Sequence, residues 1–589
     1  MKHRDNLFSG FVRKHFLLFT AFIFVFASLV VYSNTYSNGF HLDDFHTLVF
    51  NSHVHTIREI PSFFIYGKGF SGTPFVSGYR PVTQTVNALN FNLGHTNPRL
   101  YHLINLIVHL LCSFLVFRIA LILTDSNSVS LFSGLIFLVH PMNTEVVNYI
   151  SARSSSLSAF FYLASFLAFL LYRKNNDKKW ILISLVIYLF SLLSKETSVT
   201  FPLILIAYDY FFSADLPFIR KLVSWCFYLM PVFLFLIVRD HFMHPMIVPS
   251  NPSLMTDFNF LGPAERVFFG SLYFSTHYLL LYLFPYPLSF DHPFPKANFG
   301  PTTLISLFFW ILILCAIIVC RKRRVIPFLM SWFIITLLPI FLLPAISTLS
   351  LFQENRSYLS GTGICIILAL GLMDVGSKAF ERLTIEFRWI PYFIVVCLVT
   401  ILSFISYNQN RVWKSEVTVW SNVLQKNPSS FIGTFSLGYG YLNEAQFEKA
   451  EYYFNKSLGL SPPKEYLYYI YNNLGAVYES RREIEKAFDE YRAAVNLSPL
   501  LPEAHLNLGS LYLKKGNYEK AADEMGTAMD VEYSHMERRV QAAIEIEKQG
   551  SQKVALPLFL KIARELPLSP EYQNLRDLIE KKMGKRESS

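Results

Sequence analysis

The sequence predicts an all-α protein in two parts: a polytopic transmembrane helical bundle of about eleven spans, then an α-solenoid. Three observations carry this. The 589-residue chain is 52% hydrophobic and only 16% charged, where a soluble domain carries roughly a quarter charged residues. Its apolar residues come in blocks of about 17–22, long enough for helices to cross a hydrocarbon core of about 30 Å. After residue 410 the blocks stop, and apolar residues recur at helical spacing in units that repeat.

The first block, 16–32, follows Lys2, Arg4, Arg13 and Lys14. The residues after it offer a poor cleavage site, so it reads as a retained span with a cytoplasmic N-terminus. Further spans are expected over 101–123, 131–140, 146–172, 180–193, 199–212, 222–238, 302–320, 326–343, 358–373 and 390–407. The basic loops "RKNNDKK" at Arg173, "RK" at Arg220 and "RKRR" at Arg321, and the loop with Lys378, Arg382 and Arg388, belong in the cytoplasm. These assignments agree only if 267–284, which carries His277, is re-entrant or interfacial. The odd count then places the long first loop, 33–100, and everything after Tyr407 on the outer side. That side is the periplasm for a bacterial inner-membrane protein, or the lumen for one of the ER. Within the loop, "FHTLVFNSHVHTIREIPSFFIYG" and "YRPVTQTVNALNFNLGH" are too interrupted to span and suit short helices lying along the membrane surface.

The net charge of +10 is uneven. Residues 1–410 hold 28 Lys/Arg and 18 Asp/Glu, whereas 411–589 hold 24 of each. An excess confined to the membrane half fits positive-inside loops, and nucleic acid is not expected as a partner. All six cysteines lie in apolar blocks without a CxxC pattern, so neither a disulfide framework nor a thiolate metal site is expected.

In the C-terminal third, segments beginning at Leu437, Leu474 and Leu508 align without internal gaps, the last two offset by 34 residues. Each has Leu-Gly, an aromatic three residues after the Gly, and an Ala twelve after it (Ala450, Ala487, Ala521). A degenerate fourth unit keeps Ala543, Ile546, Gly550 and Ala555 in register. The pattern resembles the tetratricopeptide repeat (TPR), in which small residues sit where two helices of a hairpin cross and aromatics fill the gaps between hairpins. The expected divisions are 1–410 for the membrane domain, 411–428 for a connecting TPR-like helix, 429–566 for the repeats and 567–589 for a C-terminal helix and basic tail.

Ionisable residues gather at the predicted outer ends of the spans. Asp43 and Asp44 stand in "NGFHLDDFHTLVFN", Arg80 in "YRPV", and His140, Glu145 and Arg153 in "HPMNTEVVNYISAR". Lys195 and Glu196 stand in "LLSKET", and Glu354 and Arg356 in "FQENRSY". Charged groups at membrane depth line a cavity or pair with one another. Carboxylates beside several cations on one face suit an anionic ligand and an acid–base step. Blander readings stand beside this one. The aspartates could be a solvated loop or a helix cap, and Glu145 with Arg153 and His140 could be a structural ion pair. Lys195–Glu196 reads more as a structural pair than a functional one. His41 and His46 flank the aspartates as side chains of metal-ligating type. His102 and His109 read as satisfied core histidines.

"NGFHLDDFHTLVFN", "YRPV", "YHLINLIVHLL", "HPMNTEVVNYISARSSSLSA", "LLSKET" and "QENRSYLSGTG" follow the order and spacing of the transmembrane-and-TPR O-mannosyltransferase-like proteins. The chain resembles that family over nearly its whole length. The resemblance implies a GT-C glycosyltransferase fold, a membrane-borne polyprenyl- or dolichyl-phosphate sugar as donor, and transfer to a hydroxyl of protein Ser or Thr on the outer or luminal side. It implies a first-loop carboxylate as base, falling on Asp43 or Asp44. The leaving phosphate would be met by Arg356 first, then Arg80 and Arg153, with Tyr358 as a hydroxyl donor. His140, Glu145, Lys195, Glu196 and Glu354 would support them. No cofactor is required on this reading, with a divalent cation at His41 and His46 as an option. The TPR concave face would bind the acceptor or a partner protein. Two departures stand out. The acid-Arg pair of the late loop is here Glu354-Asn355-Arg356, and "SARSS" keeps Arg153 but loses the acid that often follows. Two other readings stay open: a non-catalytic membrane-anchored TPR scaffold, and an O-antigen ligase or polymerase. The second is disfavoured by the short late loop around Glu354.

Overall fold

The computed structural model describes residues 2–72, 78–242, 263–292, 300–341, 352–380, 389–499 and 502–529, with scattered residues between 540 and 577. The described residues form helices and turns without strands, in two compact units, Met1–Asn427 and Pro428–Ser589.

Among the described residues of the first unit, five helices have the length and apolarity to cross a membrane: Pro98–Thr124, Ile150–Asn175, Phe218–Phe242, Pro301–Val319 and Ile390–Lys414. Shorter apolar helices cover His15–Val31, Asn127–Val139, Val267–Leu283, Val325–Phe341 and Gly361–Met373. Their starts follow local chemistry. Asn97 accepts from the Arg99 N–H with Pro98 at the first helical position, and Ser126 and Asp177 cap the helices after them. Asn127–Val139 is buried almost throughout and forms the centre of the bundle. It packs closely enough on the first helix that a Cβ on Gly134 would lie 2.4 Å from the Phe24 ring. Phe233, Ile237, Phe308, Ile311 and Phe404 instead point outward, as side chains solvated by lipid do.

Two expectations are sharpened. The span placed at 146–172 runs over Ile150–Asn175, with its regular α-helix opening at Arg153. The stretch before it breaks into three short helical turns, Pro141–Asn143, Glu145–Asn148 and Ile150–Ala152, because its polar side chains are committed elsewhere. Asn148, for example, donates to the Asn410 side chain at 2.7 Å and accepts from Asn38 at 2.7 Å. The segment read as re-entrant or interfacial is one unbroken helix, Pro263–Leu283, packed on Pro301–Val319 and Val325–Phe341. A re-entrant segment would have to break, whereas an interfacial helix would not. Residues 342–343, the loop 381–388, Gly550 and the tail 567–589, apart from Asp577, lie outside the described residues.

The segment 411–428 does contain a helix, Glu416–Lys426, opened by a capping box between Ser415 and Thr418. It packs within the first unit. Trp420 meets the Phe290 ring edge-on at 5.5 Å, and Lys426 Nζ donates to the Leu288 carbonyl.

The second unit is a run of helical hairpins: Phe431–Asn443 with Phe447–Leu458, Lys464–Ser480 with Ile484–Leu497, and Pro502–Lys514 with Tyr518–Met529. Ala450, Ala487 and Ala521 are wholly buried in one continuous core. The Leu-Gly positions sit where the paired helices touch, so that a Cβ on Gly475 would lie 2.6 Å from the Tyr491 ring. Val540, Ala543, Ile546, Ala555, Leu558, Phe559 and Ile562 cluster as the core of the fourth unit.

Candidate active site

The two adjacent aspartates point to different environments. His41–Asp44 is a tight turn closed by the Asp44 N–H donating to the His41 carbonyl at 2.9 Å, with Leu42 held at φ 51°. Asp44 turns inward and is fully buried. It accepts from the His41 N–H at 2.9 Å, the Ser151 N–H at 2.7 Å and the Ser151 hydroxyl at 2.5 Å. Burial pushes its carboxyl up to about 6 against those bonds. Asp43 turns the other way, and its side chain is 61% exposed. His46 Nε2 lies 3.4 Å from its carboxylate. The Tyr149 hydroxyl accepts its backbone N–H at 3.3 Å and also bonds its side chain. Burial works to raise this carboxyl, but His46, Tyr149 and the charge of Arg80 outweigh it and hold Asp43 below the ordinary carboxylate range. A group that is exposed and yet deep among protein atoms is one on the wall of an open cavity.

Three cationic side chains, Arg80, Lys195 and Arg356, lie near one another, and the charge of Arg80 acts on Asp43. Arg80, at the start of helix Pro81–Gly94, reaches Glu196 with Nη2–Oε1 at 2.8 Å and Nε–Oε2 at 3.1 Å. Burial would raise Glu196, but the Arg80 ion pair carries it down to about 2. Lys195 Nζ donates to Ser155 Oγ at 2.7 Å. Burial, then the charge of Arg80, pushes the Lys195 ammonium down to about 7. Arg356 Nε donates to the Gln353 side chain at 3.1 Å. The guanidiniums of Arg80 and Arg356 lie close enough to act on each other and on Lys195. All three cations keep partial contact with solvent. The site therefore offers an exposed, ionised carboxylate within reach of Arg80, whose neighbours Lys195 and Arg356 add positive charge that Glu196 offsets only in part.

Other predicted residues stand back from it. Arg153 is wholly buried and held by neutral groups: Asn105 Oδ1 at 2.6 Å, Asn87 Oδ1 at 3.0 Å and the Tyr101 carbonyl at 3.0 Å. It makes no ion pair with Glu145. Tyr358 is buried with its hydroxyl 2.7 Å from His109 Nδ1, away from the cavity. His140 is buried with Nε2 3.0 Å from the Tyr282 carbonyl. Glu145 accepts from the Asn355 N–H at 2.8 Å and its side-chain amide at 2.5 Å. Burial first, then the charge of Glu354, pushes it up to about 7. Glu354 accepts from the Ser289 N–H at 2.8 Å and meets His292 Nε2 at 3.1 Å, and burial pushes it up to about 8. Lys195 and Glu196, adjacent in sequence, take different hydrogen-bond partners. His102 and His109 are satisfied core histidines, as expected.

His41 and His46, the pair offered as metal ligands, turn to different sides of the loop. His41 Nε2 lies 2.6 Å from the Trp413 carbonyl, on the buried side of the turn, while His46 faces Asp43 and Ser71. Among the described residues no three His, Cys, Asp or Glu side chains gather in a ligand set. Sequence reasoning missed Ser151, which fixes Asp44, and Tyr149, which faces Asp43. It also missed the chain Lys195–Ser155–Asn355–Glu145, in which Ser155 Oγ donates to Asn355 Oδ1 at 3.0 Å. Small hydroxyls and amides carry no mark until the fold joins them.

The tetratricopeptide repeat family matches residues 502–535, and a related TPR repeat family matches 480–516. The chain is 25% identical over 522 residues to the human protein O-mannosyl-transferase TMTC3, covering 80% of this chain and 54% of that protein. It is 24% identical to the Caenorhabditis elegans protein O-mannosyl-transferase F38B6.6, covering 75% and 63%. Over 29% of its length it is 31% identical to the Drosophila melanogaster protein O-mannosyl-transferase Tmtc1, covering 20% of that protein. The chain thus spans about half the length of the human relative. Among solved structures, ArnT from Cupriavidus metallidurans bound to undecaprenyl phosphate aligns with a TM-score of 0.38 at 14% identity, covering 80% of this chain and 79% of that one.

Proposed function

We propose that this protein is a membrane glycosyltransferase that moves a mannosyl group from a polyprenyl- or dolichyl-phosphate carrier to a protein hydroxyl, with Asp43 as the general base. The carrying observation is the exposed, ionised Asp43 within reach of the Arg80 charge, with Lys195 and Arg356 beside Arg80. The names of the relatives, protein O-mannosyl-transferases, support the sugar and the acceptor class.

The chemistry follows from this arrangement. The acceptor oxygen attacks the anomeric carbon as the bond from that carbon to the phosphate oxygen breaks. Its proton passes to Asp43, which is ionised at neutral pH and so able to take it. The carrier phosphate gains charge as it leaves, and Arg356, Lys195 and Arg80 stabilise that charge. Burial and the charge of Arg80 bring Lys195 down to about 7, and a phosphate beside it would favour its charged form. Glu196 keeps Arg80 in place through two hydrogen bonds. The repeat unit would bind the acceptor or a partner protein, since stacked helical repeats build extended binding surfaces.

The test is a glycan inventory by mass spectrometry of the envelope or secretory fraction. Cells lacking the protein are compared with cells given back wild type or Asp43→Asn at matched expression. Wild type should restore a missing O-linked glycan, and Asp43→Asn should restore at most about one part in a hundred of the rate. Full restoration by Asp43→Asn would discard the base and favour a membrane-anchored TPR scaffold.

A further inference from the structure

We propose that Glu416 is a positioning residue for Asp43: its carboxylate pins the left-handed Leu42 and so fixes where the base points. This rests on the reading of Asp43 as base. Glu416 opens the helix Glu416–Lys426 and never reaches the cavity. Its Oε1 accepts the Leu42 N–H at 3.0 Å and lies 3.5 Å from His41 Nδ1. Its Oε2 accepts from the Trp420 indole N–H at 2.7 Å, which locks the side chain, and only 13% of that side chain is exposed.

Leu42 is the key. It stands immediately before Asp43 at φ 51°, a conformation that a branched residue adopts only when its surroundings impose it. Deprived of its N–H partner, the turn would relax to negative φ, and the direction of the next side chain would swing with it. A second contact from the same segment acts in the same sense. The Trp413 ring stacks on Tyr149 at 5.6 Å and 13°, and Tyr149 is bonded to Asp43. The Trp413 carbonyl also faces His41 Nε2 at 2.6 Å. The aim of the base is thus set by a segment more than 370 residues downstream of it.

The test uses the full chain in lipid discs, with polyprenyl-phosphate mannose as donor and secretory-fraction protein from cells lacking the enzyme as acceptor. Wild type, Asp43→Asn, Glu416→Gln, Glu416→Ala and Trp420→Phe are compared. Glu416→Ala should lower kcat about tenfold to hundredfold, the loss expected when a reacting group is misplaced by about 1 Å, with the donor KM within about twofold. Glu416→Gln keeps an oxygen for the Leu42 N–H and should stay within about threefold of wild type. Amide exchange of the peptide spanning residues 40–48 should speed up in Glu416→Ala but not in Glu416→Gln. Trp420→Phe frees the Glu416 rotamer without unfolding the helix and should cost about three- to tenfold in kcat, so it decides the matter if Glu416→Ala does not fold. An inactive Asp43→Asn beside unchanged kcat in both Glu416→Ala and Trp420→Phe would overturn the positioning role alone. A fully active Asp43→Asn would remove the base reading beneath it.

Discussion

Asp44 accepts three hydrogen bonds and meets no solvent, so losing its charge should be felt in folding before turnover. Asp44→Asn is expected to cost about 1.5–3 kcal/mol, the range for hydrogen bonds to a charged group, because one amide cannot accept all three donors. Activity per folded molecule should fall by less than about tenfold, the reverse of Asp43→Asn. Thermal melts beside single-turnover rates would separate the two, and an Asp44→Asn that melts normally but is inactive would reassign the base. Glu354 offers a pH test. It is 4% exposed and lifted to about 8 by burial, while burial takes its neighbour His292 down to about 4. Near neutrality their 3.1 Å contact is therefore a hydrogen bond between neutral groups. The folded protein keeps the Glu354 proton that the unfolded chain releases near 4.5. Stability should accordingly fall as pH rises from about 4.5 through 8, by at most about 1.4 kcal/mol per pH unit for this group. Glu354→Gln should flatten the slope of unfolding midpoint against pH over 5–8, leaving the smaller share from Glu145. An unchanged slope would mean that the folded protein ionises Glu354 normally.

Between elements, one buried polar lock stands apart from Asp43. Arg173 on helix Arg153–Asn175 reaches Asp209 on Phe201–Phe212 at 2.5 and 2.9 Å, and the Trp225 indole N–H of Phe218–Phe242 donates to the same carboxylate at 3.0 Å. Asp209 is wholly buried and Arg173 only 7% exposed. Asp209→Ala should therefore strand a buried guanidinium and cost about 3–5 kcal/mol, read as lost folded yield and a lower melting temperature. Asp209→Asn, which keeps an acceptor, should lose less, and equal melting of wild type and Asp209→Ala would show the pair to be idle. The sequence marks Asp209 as a lone carboxylate inside "ILIAYDYFF", while Arg173 passes for a topology signal among its basic neighbours. The same contrast governs what else could be read early. Apolar blocks and a 34-residue period survive as patterns along the chain, so the helices and the burial of Ala450, Ala487 and Ala521 were legible. The broken stretch 141–152 was not, because its turns are set by partners such as Asn410 and Asn355, more than 200 residues away. Arg80 and Arg356 lie near each other and near Lys195. Arg153, with the same charge and a similar setting, stands apart from them, because two asparagines on other helices satisfy it.

For the whole molecule, the prediction concerns which side of the membrane carries the repeats. Asn34 donates to the Tyr407 carbonyl at 2.8 Å, Asn410 to the Val31 carbonyl at 2.8 Å, and Asn38 to the Asn410 carbonyl at 3.1 Å. The last long apolar helix thus ends where the first one ends, beside the turn that holds Asp43. Among the described residues after Lys414, no helix is long and apolar enough to cross a membrane again. The repeat unit is therefore expected on the Asp43 side, with Lys322, Arg323 and Arg324 opposite, where basic loops face the cytoplasm. In a background lacking the six native cysteines, single cysteines at exposed Lys68, Asn517 and Arg323 would be treated with a membrane-impermeant maleimide on sealed cells or vesicles. Lys68→Cys and Asn517→Cys should react alike from the outer or luminal face, and Arg323→Cys only after permeabilisation. If Asn517→Cys instead reacts together with Arg323→Cys, the repeats lie across the bilayer from the base. An acceptor held there could not meet Asp43, and the binding role of the repeats would have to be given up even if transfer itself survived.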